Sequence, residues 1–346
     1  MPSDRTDRVN PSPPGWEGGT HLPKGPMPHT PSPLSRSLLA DRARGCLLGL
    51  ATGNVLGLAV ESLPREAVHL RLGSEGPFTR LPTEERLRTW DDDLAMAMAL
   101  SGCLADLPPG TDRLEGRAVL EAYLAWLRTG ARGIGSLTRE VLMKWHTGEA
   151  RAAERVWQAH SDRSRRPLGN GAAMRIAPLG VAFAAEPEKI ARLAAEDAQL
   201  THWDPACRQA AGLIALLATA GVRGAADPLA FAAAQAGTLL PEVAEAFQPL
   251  PLAELARRRI DGWDMGSILL ALQVATSLLA SGLPYAEALP WLIRQGGDTD
   301  THGAIVGALL GARDGVTALP AAWQDCVADR ERILDMADRL LRRSGL

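Results

Sequence analysis

Two short acidic motifs carry the side chains of this 346-residue chain that are best suited to chemistry. The first is Asp91-Asp92-Asp93, which precedes the amphipathic stretch Leu94–Leu104. One aspartate at a helix start is explained as a cap and a second is ordinary, because exposed N–H groups favour carboxylates there. Three in a row repel one another and require a counter-charge, for which a hard divalent cation is the simplest candidate. Taken alone, the motif favours the capping interpretation.

The second motif runs from Gly296 to Gly303 and contains Asp298, Asp300 and Thr301. The two aspartates are two positions apart in a turn, so they can point to one side with the Thr301 hydroxyl beside them. A solvated loop rarely places such residues directly against an apolar helix, which favours a ligand site. Together, the two motifs offer enough carboxylate oxygens for two metal ions, each needing about six ligands including water.

Two further segments are weaker signals. Gly169-Asn170-Gly171 suits a loop whose backbone amides approach a phosphate or a sugar, but a helix-entry turn explains it equally well. It matches neither the phosphate-loop pattern nor a dinucleotide fingerprint. His202 lies before an Asp-Pro pair, and a lone histidine at a helix end is usually satisfied locally.

The elements that must position these residues are helical. From Leu38 onward apolar residues recur at helical spacing, and no alternating segment is long enough to predict a strand. Pro- and Gly-rich breaks separate the helices at six places, namely 107–116, 159–171, 185–187, 221–228, 282–284 and 296–297. Residues 1–36 are rich in Pro, Gly, Ser and Thr and are predicted to be a disordered tail. The prediction is therefore one all-α domain over residues 37–346.

Two of the predicted helices carry glycine at every fourth position, at Gly45, Gly49, Gly53 and Gly57 and at Gly303, Gly307 and Gly311. Glycine inside a helix costs about 1 kcal/mol relative to alanine, so these two ridges need a reason. Residues four apart share one helix face, where the absence of side chains lets another backbone approach closely. Each ridge is also joined to an acidic or polar cluster, which packing alone does not explain.

Composition excludes several classes of protein. The formal net charge of -3 and a pI of about 6.2 argue against a nucleic-acid binder that works by bulk charge. The four cysteines are far apart in the sequence, which disfavours a disulfide scaffold and fits a reducing, cytoplasmic setting. The apolar run Cys46–Val60 is too short to span a bilayer, and the N-terminus lacks the order of a signal peptide. We expect no membrane association and a monomer.

Taken together and in this order, the motifs resemble the ADP-ribosylglycohydrolase family, over residues 42 to about 323. The segments that carry the resemblance are GCLLGLATGNVLGLAVE (45–61), WDDDLAMAMAL (90–100), GNGAAMRIAPL (169–179), LTHWDP (200–205) and the stretch 296–311. The resemblance implies a compact all-α fold, a single-domain orthogonal helical bundle, and a centre of two divalent ions, Mg²⁺ first, with Mn²⁺ or Ca²⁺ as alternatives. It also implies hydrolysis of the bond between C1″ of ADP-ribose and an acceptor such as arginine or serine, so that ADP-ribose or an ADP-ribosylated substrate is the expected partner.

The family's site residues map onto this chain position by position. Asp91, Asp92, Asp93, Asp298, Asp300 and Thr301 correspond to its two metal-ligand motifs, and Glu61 to its mobile glutamate near the metals. Gly169, Asn170, Gly171 and His202 correspond to parts of the ADP-ribose pocket. The resemblance makes Glu61, Asp92 and Asp300 the candidate catalytic residues.

Four positions depart from the family pattern. Asp91 and Leu94 replace the two threonines of the first ligand motif, Asn54 replaces an aspartate, and His302 replaces an asparagine. The extra carboxylate at Asp91 can strengthen metal binding or shift the preference towards calcium. Two alternatives therefore stay open: a non-catalytic ADP-ribose-binding or structural homologue, and a hydrolase of another ribosyl or nucleotide compound.

Overall fold

Helices form nearly all of the regular structure in the computed structural model of the protein, which describes residues 34–73, 90–108, 110–162 and 166–346. Within these ranges there is no strand, and two isolated bridges join Pro64 to Gly296 and Gly169 to Ser267. The predicted all-α fold is therefore confirmed. The first 33 residues of the predicted tail lie outside the described residues. Seventeen α-helices are described: α1 Arg36–Leu58, α2 Arg65–Leu72, α3 Asp92–Ala105, α4 Gly116–Leu127, α5 Ser136–His146, α6 Ala152–Ser161, α7 Ala177–Ala182, α8 Pro187–Ala198, α9 Pro205–Arg223, α10 Pro228–Ala236, α11 Pro241–Phe247, α12 Leu252–Arg258, α13 Ile268–Ala280, α14 Tyr285–Ile293, α15 Thr299–Asp314, α16 Ala321–Gln324 and α17 Arg330–Ser344.

Each of the six predicted breaks lies between helices or at a helix end, and the structure has further boundaries that were not among them, such as those at Pro205 and Pro241. Four of them start with proline, at Pro187, Pro205, Pro228 and Pro241, because proline fixes a helical φ and lacks an N–H that would be unpaired there anyway. The carboxylate of Asp204 accepts a hydrogen bond from the Ala206 N–H and so caps α9. Local chemistry therefore sets these boundaries.

The two glycine-ridged helices, α1 and α15, pack against each other along their full facing lengths. The pairing is antiparallel: Gly45 faces Gly311, Gly49 faces Gly307 and Gly53 faces Gly303. A Cβ atom added at any of these positions would overlap the opposite backbone carbonyl. The predicted close approach of two backbones is confirmed, and it explains why glycine is needed at each fourth position.

This pairing fixes where the polar ends of the two helices lie. Because the helices run antiparallel, the C-terminal end of α1, with Asn54 and Gly57, lies beside the N-terminal end of α15. The Thr299 hydroxyl at that end donates a hydrogen bond of 2.8 Å to the Gly57 carbonyl. The tight interface thus delivers the second acidic motif to the end of α1.

One described helix, α9, is long and apolar enough to cross a membrane by length and composition, although 83% of the relevant window is buried inside the protein. Its buried positions include Leu213, Leu216 and Leu217, which belong to the main hydrophobic core. Core helices of this kind pass the same test, so the helix is weak evidence for a membrane span.

Candidate active site

Three helix ends meet at one cleft. The turn after α1 carries Glu61, the start of α3 carries the three consecutive aspartates, and the start of α15 carries Asp298, Asp300 and Thr301. The cleft has a volume of about 280 Å³. All seven predicted metal and catalytic positions therefore lie in one cluster, although the two acidic motifs are about 200 residues apart in the sequence.

The acidic cluster is buried. Asp91, Asp92, Asp93 and Asp300 are each 1–6% exposed, whereas Asp298 is half-buried and Glu61 is exposed at the rim. Carboxylate oxygens of the three consecutive aspartates lie within 4.8 Å of one another. Carboxylates that are this close together and this deeply buried repel one another strongly, so a bound cation would stabilise them.

The N-cap interpretation does not account for Asp91. It occupies the N-cap position of α3, but its carboxylate makes no capping hydrogen bond, although the Leu94 N–H lies nearby. Its Oδ2 instead accepts a hydrogen bond of 3.0 Å from Asn54, and its Oδ1 has no partner among the described residues. Asp91 therefore occupies the predicted cap position, but capping alone does not explain its carboxylate, which faces the cluster.

Burial and mutual repulsion raise the pKa values of these carboxyl groups. Burial is the main cause for Asp91, whose pKa rises to about 6, and for Asp92, whose pKa rises to about 8 with a further contribution from Asp91. The pKa values of Asp93 and Asp300 lie well above the ordinary range for the same reasons. Partial burial, and then the nearby Asp298 charge, also raise the pKa of Glu61.

These shifts predict how the stability of the metal-free protein depends on pH. Because the folded-state pKa values of Asp91 and Asp92 exceed that of an ordinary aspartate, the folded state binds more protons than the unfolded state between about pH 4 and pH 8. Stability should therefore fall as pH rises through this window when a chelator is present. Thermal melts at a series of pH values check this, and added Mg²⁺ should flatten the trend. A melting temperature that rises with pH in chelator would contradict the raised pKa values.

The cluster fits hard divalent cations. Its donors are all oxygens, and the buried atoms Asp91 Oδ1, Asp93 Oδ1 and Asp300 Oδ1 have no hydrogen-bond partner among the described residues. No lysine or arginine is present among the described residues that line the cleft. Mg²⁺, Mn²⁺ and Ca²⁺ all prefer carboxylate and hydroxyl ligands, so Asp91, Asp92, Asp93, Asp298, Asp300 and Thr301 could hold such ions.

The opposite wall of the cleft is formed by the other two predicted segments. Gly169, Asn170, Gly171 and His202 all line it. The Asn170 carboxamide donates a hydrogen bond of 2.7 Å to Asp298, so this loop is tied directly to the acidic cluster. A Cβ at Gly171 would lie 2.8 Å from both His202 Cε1 and Thr138 Oγ1, which explains the glycine.

His202 is a buried histidine whose imidazole ring is neutral. It is 1% exposed, and burial, followed by the Arg175 charge, lowers its pKa to about 3. Its Nδ1 lies 2.9 Å from the Thr201 hydroxyl. The ring therefore packs against Gly169 and Gly171 and carries no positive charge at neutral pH.

The sequence analysis missed a loop that lies against Asp92. Gly133, at φ +74°, lies so close that a Cβ would be 2.5 Å from Asp92 Oδ1, and the nearby Gly135 backbone N–H favours the charged form of the Asp92 carboxyl group and so partly offsets the rise in its pKa. The glycines and serine of this stretch, 130–136, were the available signal. From the sequence alone, these glycines and this serine indicate an ordinary turn, because nothing in the sequence links them to residue 92.

A buried ion pair behind the cleft was missed as well. Arg175, fully buried, donates to Asp197 Oδ2 at 2.9 Å and to the Gly171 carbonyl at 3.1 Å, and Asp197 also accepts from the Tyr123 hydroxyl at 2.6 Å. A buried charge without its partner is strongly destabilising, so all three polar groups must be present together. The network holds the loop that carries Asn170.

The turn that carries Glu61 is anchored at both sides. The Ser62 N–H donates to the Gly297 carbonyl at 2.8 Å, and the Gly297 N–H donates to the Leu63 carbonyl at 2.8 Å. Gly297 has φ +82° and no room for a Cβ against Asp261. The Gly-Gly pair before the second motif thus fastens the glutamate turn to the start of α15.

Comparison with known proteins identifies the family to which this all-α fold with an acidic cleft belongs. The model of the ADP-ribosylglycohydrolase family matches residues 35–346. The chain therefore belongs to the ADP-ribosylglycohydrolase family, which confirms the resemblance found in its motifs. Relatives named as hydrolases support its assignment as an enzyme and disfavour the non-catalytic alternative.

Several characterised relatives are similar over most of their length. The ADP-ribosylarginine hydrolase Tri1 of Serratia proteamaculans is 26% identical, and the alignment covers 89% of this chain and 80% of that protein. The ADP-ribosyl-[dinitrogen reductase] glycohydrolase of Rhodospirillum rubrum is 27% identical, covering 88% of this chain and 97% of the relative. Human ADP-ribosylhydrolase ARH3 is 25% identical, with 89% and 94% covered. A solved structure described as an ADP-ribosylglycohydrolase-related protein complex superposes with a TM-score of 0.64 at 28% identity, covering 89% of this chain and 99% of the other.

Proposed function

We propose that the protein removes ADP-ribose from a modified acceptor by hydrolysing the bond at C1″, and that it needs divalent metal ions to do so. The observation that carries this proposal is the convergence of Thr301 and five aspartates, three of which line a cleft whose described lining residues include no lysine or arginine. Mg²⁺ is the first candidate, with Mn²⁺ and Ca²⁺ as alternatives, because the donor set is all oxygen. The names of the relatives make ADP-ribosylated arginine the first acceptor to test.

Different residues of the cleft have different roles in the proposed reaction. Metal ions bound by the aspartates would supply Lewis acidity towards ribose hydroxyls and a more acidic bound water. The Gly169-Asn170-Gly171 segment lines the cleft and would form the wall against which the sugar-phosphate part of the substrate packs. Asn170 holds Asp298 by a hydrogen bond, and Gly133 packs closely against Asp92, so both carboxylates are held in place.

Glu61 is the residue we assign to proton transfer. It lies at the rim of the cleft, within the electrostatic reach of Asp298 and Asp300 but outside the buried cluster. Ribosyl transfer passes through an oxocarbenium-like state and needs control of one proton on the attacking water or the leaving group. The raised pKa of Glu61 brings its carboxyl group closer to the pH at which it can exchange that proton.

Replacement of Glu61 by Gln should slow turnover and leave metal binding intact. The loss in kcat should be about 10²- to 10⁴-fold, the usual contribution of a positioned acid or base. Single-turnover release of ADP-ribose measures the effect, and calorimetric titration with Mg²⁺ measures metal binding in the same variant. Glu188→Gln, an exposed change on α8, is the matched control. Full turnover by Glu61→Gln would remove Glu61 from the mechanism.

The function itself is tested by release of ADP-ribose from arginine-, serine- and nucleic-acid-linked substrates, with added Mg²⁺ and with chelator. Metal-dependent release from one of them would identify both the activity and the acceptor. Release from none of them, combined with metal-dependent hydrolysis of another ribosyl or nucleotide compound, would place the protein elsewhere among the hydrolases. Activity that persists in chelator would contradict the metal assignment.

A further inference from the structure

Asn54 is an amide that lies in direct contact with the carboxylates of the acidic cluster. It is fully buried on α1, and its Nδ2 donates two hydrogen bonds, to Asp91 Oδ2 at 3.0 Å and to Asp93 Oδ2 at 3.1 Å. Carboxylates only accept, so the amide must turn its NH₂ group towards them. One side chain therefore bridges two acidic residues that otherwise repel each other.

The same bridge leaves one oxygen of each carboxylate free. Asp91 Oδ1 and Asp93 Oδ1 are buried and have no partner among the described residues, and neither does Asp300 Oδ1. A buried oxygen without a donor is costly, so these atoms point to a ligand that supplies positive charge. Asp91 thus has one oxygen held by Asn54 and one oxygen available to a cation.

The side chains at positions 54 and 91 are in direct contact, one an amide and the other a carboxylate. A carboxylate at both positions would place two acids at hydrogen-bonding distance with no donor between them. An amide at both would remove one unit of negative charge from the cluster.

We propose that Asn54 and Asp91 form one charge-setting pair, in which Asp91 is a metal ligand and the Asn54 carboxamide is the positioning group that holds it. The pair requires one carboxylate and one amide, and the amide is better placed at position 54, where it also donates to Asp93. This inference rests on the proposed function, since it takes the acidic cluster to be the metal site.

The test is a cycle of four proteins: the wild type, Asn54→Asp, Asp91→Asn and the double exchange. Each change swaps an oxygen for an NH₂ group or the reverse, so the shape of the site is kept. Two quantities are measured without any substrate: the melting temperature in chelator, and the affinity and stoichiometry for Mg²⁺ and Mn²⁺ by calorimetry on metal-stripped protein.

The two single substitutions should have different effects on stability and on metal binding. Asn54→Asp should melt below the wild type in chelator, because the new carboxylate repels two others, and added Mg²⁺ should recover more of its stability than it does for the wild type. Asp91→Asn should melt no lower than the wild type in chelator but should bind Mg²⁺ about 10- to 100-fold more weakly. The double exchange restores one amide and one carboxylate across positions 54 and 91, so it should recover part of both losses. The recovery should be incomplete, because Asp93 Oδ2 then faces a carboxylate and has lost its donor.

The outcomes separate this inference from the proposed function. If the wild type binds no divalent ion, both are wrong. If the wild type binds ions and Asp91→Asn binds them equally well, or if the double exchange keeps the full defect of Asp91→Asn, only the charge-setting pair is wrong. The comparison between Asp91→Asn and the double exchange stands even if Asn54→Asp does not fold.

Discussion

Replacement of Asp300 by Asn should abolish divalent-metal binding and hydrolysis together. Asp300 is buried, its Oδ1 has no partner among the described residues, and it faces Asp93 and Asp298 across the cluster. An amide of the same shape removes the charge that would attract a cation and offers a donor where a ligand is needed. The loss in kcat/KM should be about three orders of magnitude, which corresponds to several kcal/mol of metal-derived transition-state stabilisation.

The same change should stabilise the metal-free protein. The pKa of Asp300 lies well above its ordinary range because burial and four neighbouring carboxylates disfavour its charge. Removing that charge relieves the repulsion, so Asp300→Asn should melt above the wild type in chelator and should show no shift on adding Mg²⁺. An inactive variant that is more stable when metal-free cannot be explained by misfolding.

The matched control is Asp335→Asn, an identical chemical change at an exposed position of α17. It should leave metal affinity, turnover and melting temperature close to those of the wild type, since surface substitutions seldom exceed about 0.5 kcal/mol. Full activity in Asp300→Asn, or a retained stabilisation by Mg²⁺, would show that the acidic cluster is not the metal site.

The sequence predicts which residues form this site better than it predicts how they are arranged. Asp298, Asp300 and Thr301 follow a Gly-Gly turn and begin a helix, so local rules place them at a helix start with their oxygens together. The role of Asp91 cannot be found in this way. A carboxylate before a helix predicts a cap, and only the contact with Asn54, 37 positions away, shows that it faces the cluster instead.

Residues that act across space are the ones that sequence reasoning missed. Gly133 is a turn glycine in the sequence, but in the structure it packs directly against the Asp92 carboxylate. Nothing in the sequence links Arg175 to Asp197, yet they form the buried pair that holds the Gly171 carbonyl. No periodicity or motif links these positions, because the contacts arise only when separate helices pack.

The glycine ridges are the exception, since their spacing predicts a contact between distant segments. The period of four indicates a bare helix face, and two such faces in one chain favour each other as partners. The structure pairs Gly53 with Gly303 beside the acidic cluster, so the interface that packs the core also sets the distance between Asn54 and Asp300. Stability and site geometry therefore depend on the same contact.

Replacement of Gly53 by Ala should consequently cost both stability and metal binding. The added methyl group would overlap the Gly303 carbonyl, and a backbone atom cannot rotate away as a side chain can. We expect a loss of at least about 3 kcal/mol in the free energy of unfolding, at the upper end of the cost of overpacking, because two whole helices must separate. The separation would also move Asn54 away from Asp300, and small displacements in a preorganised site are costly. Urea unfolding and Mg²⁺ titration measure the two effects.

Gly102 provides the matched control for that experiment. It also lies inside a helix, α3, but a Cβ there meets no atom within 4 Å. Gly102→Ala should therefore stabilise the protein by about 0.4–1 kcal/mol, because alanine restricts the unfolded chain and favours the helix. The same methyl group thus has opposite effects at two helical glycines, and the difference isolates the close contact between α1 and α15. If Gly53→Ala were as stable as Gly102→Ala, the two helices could part at no cost, and the glycine ridges would not be what holds the acidic residues of α15 against the end of α1.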